Sequence, residues 1–478
     1  MSGLDGAFLH LETKETPMHV ASLHLFDLPA GYAGSFHRDV RQLMERRLHA
    51  AAVLTRKLAE MPLQFANPVW VEADQLDMGY HVQHITLPGP GTPAQLEDLV
   101  GRLHSELLDR SRPLWRMAVI DGLQSRQAAC YIQIHHAVLD GQAGVLLAQA
   151  LFDLVPKSLA PADRTALLHA EHPSTLQLAL AALKHDAGQY VQLVRNLPDV
   201  VKTLAGLFDA APTKLRGRLK QNFSFGPKTP LNVPITGERG FAALSIPLGT
   251  LKQLAHVHDA KLNDIVLALC GGALRRYLAQ HGGIPKKPLI ATMPISLRDP
   301  TSTEFTTQAT LSLVNLNTQI ADAVKRLHAI RDAAGAIKVL AQRARGVIPV
   351  DFPSTGTPWL LGALATLYGR SGLAGIVPPI ANVVISNVPG PQVPLYLAGA
   401  RMTDYWPLSI TEHGIGLNIT VMSYAGQMGF GFTTARSAVP DARELTAALR
   451  EALAELVARS TPPNTASGAV RARARSRS

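Results

Sequence analysis

Cysteine is nearly absent from this sequence of 478 residues, and its two copies suggest neither a disulfide framework nor a metal site. Cys130 and Cys270 both lie in apolar stretches, and neither has the close Cys/His spacing of a zinc ligand set. We therefore expect two reduced, buried thiols in a cytoplasmic protein, and no metal ion.

Targeting segments and long hydrophobic runs are also missing. The opening "MSGLDGAFLHLETKETPMHV" has no basic segment followed by an apolar one, so we expect no signal peptide. The most apolar stretch, residues 358–386, is interrupted by Arg370, by several glycines and by Pro378 and Pro379. It falls short of the roughly 18 to 20 apolar residues of a membrane-spanning helix.

Several common catalytic signatures are absent too. The sequence contains no G-x-S-x-G elbow, no phosphate-binding loop and no dinucleotide-binding fingerprint. These absences argue against a serine hydrolase of the elbow type, a P-loop nucleotide hydrolase and a nicotinamide-dependent oxidoreductase.

The composition that is present predicts a large folded core, with 47% hydrophobic and 17% charged residues. The net charge of +10 is uneven, because residues 459–478 hold five arginines and no acid. We predict that residues 460–478 form a disordered tail. The tail is either a solubilising segment or a binder of an anionic membrane or nucleic acid, and nucleic acid is the least favoured partner.

The order of the predicted elements indicates an α/β protein with two subdomains. Residues 1–155 alternate strand-like and helix-like segments, and residues 236–459 repeat this mixture. Residues 156–235 form a helical and basic connector between them. We expect mixed sheets flanked by helices in each subdomain.

The stretch "YIQIHHAVLDGQAG" (131–144) carries the strongest chemical signal. Its alternating start predicts a half-buried strand that ends at the two histidines, followed by a loop and a helix. Neighbouring strand residues point to opposite faces, so His135 and His136 have different roles. A neutral imidazole at a strand end beside a cleft can take a proton from a hydroxyl or a thiol, and near-neutral basicity suits that task.

The residues around the pair suggest supporting roles. We interpret His135 as a hydrogen-bonded structural residue, because it shares a face with Tyr131 and Gln133. Asp140 is close enough in sequence to hold the loop, and Gly141 allows a tight turn and the approach of a ligand. A metal site at the pair is weakly supported, because adjacent side chains diverge.

The segment HHAVLDG (135–141) resembles the HHxxxDG motif of the CoA-dependent acyltransferases. Further blocks narrow the resemblance to the bacterial wax ester synthase/acyl-CoA:diacylglycerol acyltransferase family. These blocks are "PLW" (113–115), "NDIVLALCGGALRRYL" (263–278) and "NVVISNVPGP" (382–391). The likeness runs from residue 3 to about residue 458. Arg116 departs from it, because many relatives have an acidic residue there.

This resemblance implies a fold and a set of site residues. It implies two chloramphenicol-acetyltransferase-like subdomains with an active-site tunnel between them. His136 would be the general base, and His135 and Asp140 would support it, with Arg56 as an ion-pair partner of Asp140. Asn263 would be either a donor to the developing oxyanion or only a helix N-cap, and both interpretations stay open.

The resemblance also implies substrates and a location. The enzyme would hold no bound cofactor and would use acyl-CoA as a co-substrate, with diacylglycerol or a long-chain alcohol as acceptor. It would contact the inner membrane or lipid inclusions peripherally, on the cytoplasmic side; its oligomeric state is unknown. The alternatives are an acyltransferase with a non-lipid acceptor and a catalytically silent scaffold that coats lipid droplets or membranes.

Overall fold

The computed structural model describes residues 3–59, 67–138, 147–148, 151–156, 225–296, 309–343 and 378–460. The features discussed above that lie outside these ranges are Asp140 with Gly141, most of the connector, most of the apolar stretch 358–386, and the arginine-rich tail.

The described chain contains eight α-helices and fourteen strands. The helices are α1 (Gly3–Leu11), α2 (Phe36–Arg47), α3 (Met78–His81), α4 (Pro93–Ser105), α5 (Leu248–Val257), α6 (Leu262–Gln280), α7 (Ala323–Arg343) and α8 (Arg443–Ser460). The first seven strands are β1 (His19–Asp27), β2 (Arg56–Ala59), β3 (Val69–Glu72), β4 (Val82–Thr86), β5 (Trp115–Asp121), β6 (Ala128–His135) and β7 (Arg239–Pro247). The other seven are β8 (Ile290–Ser296), β9 (Ala309–Asn315), β10 (Val383–Val388), β11 (Tyr396–Leu397), β12 (Ala400–Leu408), β13 (Leu417–Tyr424) and β14 (Gln427–Ala435).

Two six-stranded mixed sheets form the framework. The first has the order β11-β12-β1-β6-β5-β4, and the second has the order β7-β14-β13-β10-β8-β9. In the first sheet, β4 and β5 are parallel and the other neighbours are antiparallel. In the second, β10 runs parallel to both β8 and β13. The predicted α/β class, with mixed sheets and flanking helices, is confirmed.

The first sheet receives two strands from the end of the chain. Strand β12 pairs antiparallel with β1, so that Ala21 lies opposite Leu408, and β11 extends the same edge. These strands therefore belong to the first sheet, although their sequence position falls in the predicted subdomain 236–459. The proposed boundaries themselves stay predictions.

The two sheets touch where β14 crosses β12, and glycines make this contact close. A Cβ atom placed on Gly431 would lie 1.8 Å from the carbonyl oxygen of Pro407, and one on Gly429 would lie 2.3 Å from that of Tyr405. Any larger side chain would push the backbones of the two strands apart. The sheets are therefore joined directly, without an intervening layer at this point.

Local sequence signals explain individual elements. Helix α4 begins at the Thr92-Pro93 pair, where Thr92 and Gln95 cap each other reciprocally through two hydrogen bonds of 3.2 and 2.8 Å. The β13–β14 hairpin turns at Ala425 and Gly426, both with positive φ. Cys130 and Cys270 are buried and unpaired, as predicted. No helix within the described ranges is long and apolar enough to cross a membrane.

Candidate active site

Strand β6 brings the paired histidines to the centre of the first sheet. It lies between β1 and β5, and its end is fixed on both sides. The backbone N–H of His135 donates to the carbonyl of Leu114 (3.0 Å), and that of His136 donates to the carbonyl of Met18 (2.9 Å). The strand ends at His135, and His136 opens a short 3₁₀ turn, His136–Val138. The predicted strand end at the histidines is confirmed.

Strand β6 is buried on both faces, so the prediction of a half-buried strand is wrong. Ile132 and Ile134 pack in one apolar cluster on one face. On the other face the polar atoms pair with one another rather than with water. The Tyr131 hydroxyl, for example, lies 2.9 Å from Nδ1 of His104. Burial of these polar groups is tolerated because they are hydrogen-bonded.

His136 lies under helix α1. Its ring stacks on the Phe8 ring, with centroids 3.9 Å apart and an angle of 21° between the planes. Its Nδ1 atom is buried and has no hydrogen-bond partner among the described residues. Burial, followed by the influence of His135, lowers the pKa of His136 to about 4. The ring is therefore neutral at pH 7, and the near-neutral pKa expected from the sequence is wrong because α1 removes solvent from it.

His135 is fully buried, and its tautomer follows from its contacts. Its Nδ1 atom accepts the backbone N–H of Ala137 at 3.1 Å, so the ring proton is on Nε2. Nε2 faces a carboxylate, with Oε1 of Glu12 at 3.3 Å. These contacts suit the predicted supporting role, because both ring nitrogens of this fully buried side chain face groups of the protein itself.

Glu12 is the residue at this site that the sequence argument missed. Its side chain is only 3% exposed. Its carboxylate also accepts the backbone N–H of Met18 (3.0 Å) and two N–H groups of Arg110 (2.8 and 3.2 Å). Burial opposes its ionisation, but His135, Arg110 and Met18 together lower the pKa of Glu12 below its usual value. The available signal was an acid directly after the apolar block "GAFLHL".

A chain of buried, hydrogen-bonded polar side chains lies beside His135 and includes Arg116. Arg116 is 7% exposed, and its guanidinium bridges Oε2 of Glu106 (2.8 Å) and Oε1 of Gln133 (3.0 Å). The Gln133 amide nitrogen lies 2.9 Å from Nε2 of His19, which is opposite His135 in the β1–β6 ladder. The same Nε2 lies 2.9 Å from the carbonyl oxygen of His104, and burial holds the pKa of His19 well below its usual value.

The neighbouring Pro-Leu-Trp segment packs in the protein interior. Leu114 and Trp115 are buried, and the Trp115 indole N–H donates to the carbonyl of Leu54 at 3.0 Å. Arg56, the expected partner of Asp140, lies 2.9 Å from Glu72 in the β2–β3 hairpin. Since Asp140 is outside the described residues, its pairing stays a prediction.

Asn263 belongs to the second sheet's side of the molecule. It is the second residue of α6, and the helix is capped by Asp264, whose carboxylate accepts the Lys261 N–H at 2.9 Å. The alternative that Asn263 is the N-cap is therefore wrong, because the N-cap is Lys261 and the helix begins two residues earlier than that alternative requires. Its Nδ2 atom lies 3.4 Å from Sδ of Met293, and its Oδ1 accepts from Asn387 at 3.3 Å. No hydrogen bond within the described ranges joins Asn263 to His135 or His136.

Comparison with known proteins matches both halves of the chain to one family. Residues 1–266 match the model of the wax ester synthase/diacylglycerol acyltransferase catalytic domain, and residues 307–457 match that of the family's C-terminal domain. A putative diacylglycerol O-acyltransferase of Mycobacterium tuberculosis is 37% identical over 95% of this chain and 99% of its own length. A probable enzyme of the same kind from that organism, tgs2, is 35% identical over 95% of this chain and 97% of its own.

Solved structures agree with this assignment. The wax ester synthase/diacylglycerol acyltransferase of Marinobacter aquaeolei VT8 is similar with a TM-score of 0.67 and 28% identity, over 96% of this chain and 98% of that one. The starter condensation domain of rhizomide synthetase shares the fold alone, with a TM-score of 0.56 and 14% identity over 96% and 93% of the two chains. The predicted chloramphenicol-acetyltransferase-like fold is thereby confirmed. The chain therefore belongs to the wax ester synthase/diacylglycerol acyltransferase family.

Proposed function

We propose that this acyltransferase moves a long-chain fatty acyl group from acyl-CoA to diacylglycerol, a long-chain alcohol or both, with His136 as the general base. The observation that carries the proposal is the neutral, shielded imidazole at the end of β6. Enzymes of this family use acyl-CoA, and the named relatives are diacylglycerol acyltransferases.

The reaction is a direct transfer without an acyl-enzyme. Because Nδ1 of His136 is buried, Nε2 is the nitrogen that takes the proton from the acceptor hydroxyl. The hydroxyl oxygen then attacks the thioester carbonyl and forms a tetrahedral oxyanion. The carbon–sulfur bond breaks as the oxyanion collapses, and the proton passes from His136 to the CoA thiolate. The products are an ester and CoA.

The low pKa of His136 affects the two proton transfers in opposite ways. A buried imidazole is a weaker base toward the alcohol, so a substrate hydroxyl must be held close to it. The imidazolium that forms is a correspondingly strong acid, and it returns its proton readily to the leaving thiolate. Burial therefore favours the second half of the reaction.

The other site residues stabilise this arrangement. His135, fixed by Glu12 and by the backbone of Ala137, supports the end of the strand from which His136 projects. Asp140 and Gly141 are proposed to hold the following loop. The amide of Asn263 is proposed to donate to the oxyanion, in a tunnel between the two sheets.

The test is acyl transfer by the purified protein with palmitoyl-CoA, offering hexadecanol and a diacylglycerol separately. We expect CoA release that requires an acceptor in the wild type and falls at least about 100-fold in His136→Ala. The matched control is His49→Ala, which removes an exposed histidine in the turn that follows α2, and we expect it to keep full activity. Melting temperatures of all three proteins check that they fold.

The outcomes separate the alternatives. Release with neither lipid acceptor by a folded wild type would refute the proposal and favour a non-lipid acceptor. Binding to lipid droplets without any transfer would favour the silent scaffold. The ratio of the rates with the two acceptors gives the preferred product.

Peripheral contact with a membrane or a lipid inclusion is a further part of the proposal. Leu154 and Val155, 69% and 45% exposed, support it because they are apolar side chains in water at the edge of the first sheet. Flotation with phospholipid vesicles tests it, and we expect the Leu154→Ser, Val155→Ser variant to float less. Equal flotation of the two proteins would exclude this edge as the contact.

A further inference from the structure

Two amide side chains, those of Asn263 and Asn387, face each other at the start of α6. Asn387 lies within β10, before the turn at Pro389 and Gly390. Its Nδ2 atom donates to Oδ1 of Asn263 at 3.3 Å. Both side chains are partly buried.

Asn263 has no structural task that would require this contact. The backbone N–H of Lys261, which needs a cap at the start of α6, is already bound by Asp264. The remaining contact of the Asn263 amide is with the thioether of Met293, 3.4 Å from Nδ2. A thioether is a weak acceptor, so Nδ2 retains N–H capacity for a stronger one.

The orientation of the Asn263 amide depends on Asn387. A terminal amide presents either its oxygen or its nitrogen after a half-turn, and the two orientations differ little in shape. A neighbouring N–H group favours the orientation in which the amide oxygen faces it and accepts its hydrogen bond. The donor from Asn387 thus directs Nδ2 of Asn263 away from β10.

The position of Asn387 is well defined. Strand β10 lies inside the second sheet, between β8 and β13, and Asn387 is opposite Val421 of β13 in a parallel ladder. A side chain on an interior strand keeps its direction better than one on a loop. The backbone of β10 therefore directs the Asn387 side chain towards Asn263 before any substrate binds.

We propose that Asn387 is a positioning residue for acyl transfer. It holds Oδ1 of Asn263, and Asn263 then presents Nδ2 to the negative charge that develops on the thioester carbonyl oxygen. No proton is transferred by either amide. The inference rests on the proposed function, and it assigns to the Asn387 side chain a task beyond the turn.

The test is a double-mutant cycle of Asn263→Ala and Asn387→Asp, measured as kcat and KM for palmitoyl-CoA with the better acceptor. Asn387→Asp keeps the size of the side chain but replaces its donor by an acceptor, which attracts Nδ2 of Asn263 and turns the amide round. Loss of one oxyanion donor costs about 100-fold to 1,000-fold in kcat. We expect a loss of about 100-fold for each single variant, with KM changed less than about threefold.

The double variant distinguishes positioning from a structural role. If Asn387 acts only through Asn263, the double variant is no slower than Asn263→Ala alone. If Asn387 merely supports the fold, the two losses multiply, and the inference is refuted. Asn387→Leu, which removes the donor without adding charge, replaces Asn387→Asp in the cycle if the aspartate variant does not fold.

Two results overturn different statements. An active wild type with an unchanged kcat in both Asn387 variants refutes this inference alone. A folded wild type that releases no CoA with either acceptor refutes the proposed function, and this inference with it.

Discussion

The low pKa of His136 leads to a sharp prediction about the pH dependence of transfer. Because burial lowers the pKa of His136 to about 4, the imidazole is still almost fully neutral at pH 6. The neutral fraction is then about 99% at pH 6, and kcat/KM is the same within about 10% at pH 8 and pH 6. An imidazole with an ordinary pKa near 6.5 would be only about 24% neutral at pH 6, and the rate would fall about fourfold.

The assay is the initial rate of CoA release at subsaturating palmitoyl-CoA, since kcat/KM reports the free enzyme. Dithiodipyridine detects the thiol over this whole pH range. The melting temperature is measured at each pH, so that a loss of folded protein is not mistaken for titration of the base. A fourfold decrease between pH 8 and pH 6, with unchanged melting, would show that the site is solvated and the reasoning wrong.

A variant of Phe8 tests the cause of the shift. The Phe8 ring covers one face of His136 at 3.9 Å, so Phe8→Ala admits water and reduces the desolvation of the imidazolium. We expect the acid limb of the pH profile to move up by about one pH unit, toward the value of a solvated histidine. An acid limb that stays in place would mean that burial by α1 does not set the pKa.

Two further predictions concern the support of the site and the joint between the sheets. In Glu12→Gln, the charge that faces His135 is lost while the shape of the side chain is kept. Because a hydrogen bond to a charged group contributes about 1.5 to 3 kcal/mol, we expect kcat to fall about 10-fold to 100-fold. An unchanged kcat would show that Glu12 has no role in transfer. In Gly431→Ala, the new methyl group collides with the backbone of Pro407, and we expect urea titration to show a loss of about 2 to 4 kcal/mol in the free energy of unfolding. The control is Gly249→Ala, a helix position with open space around it, where we expect a gain of about 0.5 to 1 kcal/mol. Equal stabilities of the two variants would contradict the close contact between the sheets.

Sequence patterns predicted the positions of those helices and strands whose start or end depends on residues close together in the sequence. The alternation before His135 predicts β6, and the Thr92-Pro93 pair with Gln95 predicts the start of α4. The N-cap alternative for Asn263 places the start of α6 two residues too late, because several polar residues stand close together there. Only the contact between Asp264 and the backbone of Lys261 decides which residue lies outside the helix.

Features that depend on distant segments could not be obtained in this way. The role of Glu12 follows from its approach to His135 and Arg110, which are far away in sequence. The pKa of His136 depends on Phe8, because α1 excludes water from the ring. The pairing of β12 with β1 leaves no local pattern, since either edge of either sheet accepts a strand of that composition.

Because β1 pairs with β12, the first sheet is completed only when the end of the chain has been synthesised. The ribosome releases β1 and β6 early, but the strand that covers the other side of β1 is made only near the end of the chain. Until then β1 presents an open row of backbone N–H and C=O groups, which invites pairing with another nascent chain. Expression of residues 1–155 alone should therefore give aggregates, and co-expression of a segment that carries β12 should reduce them.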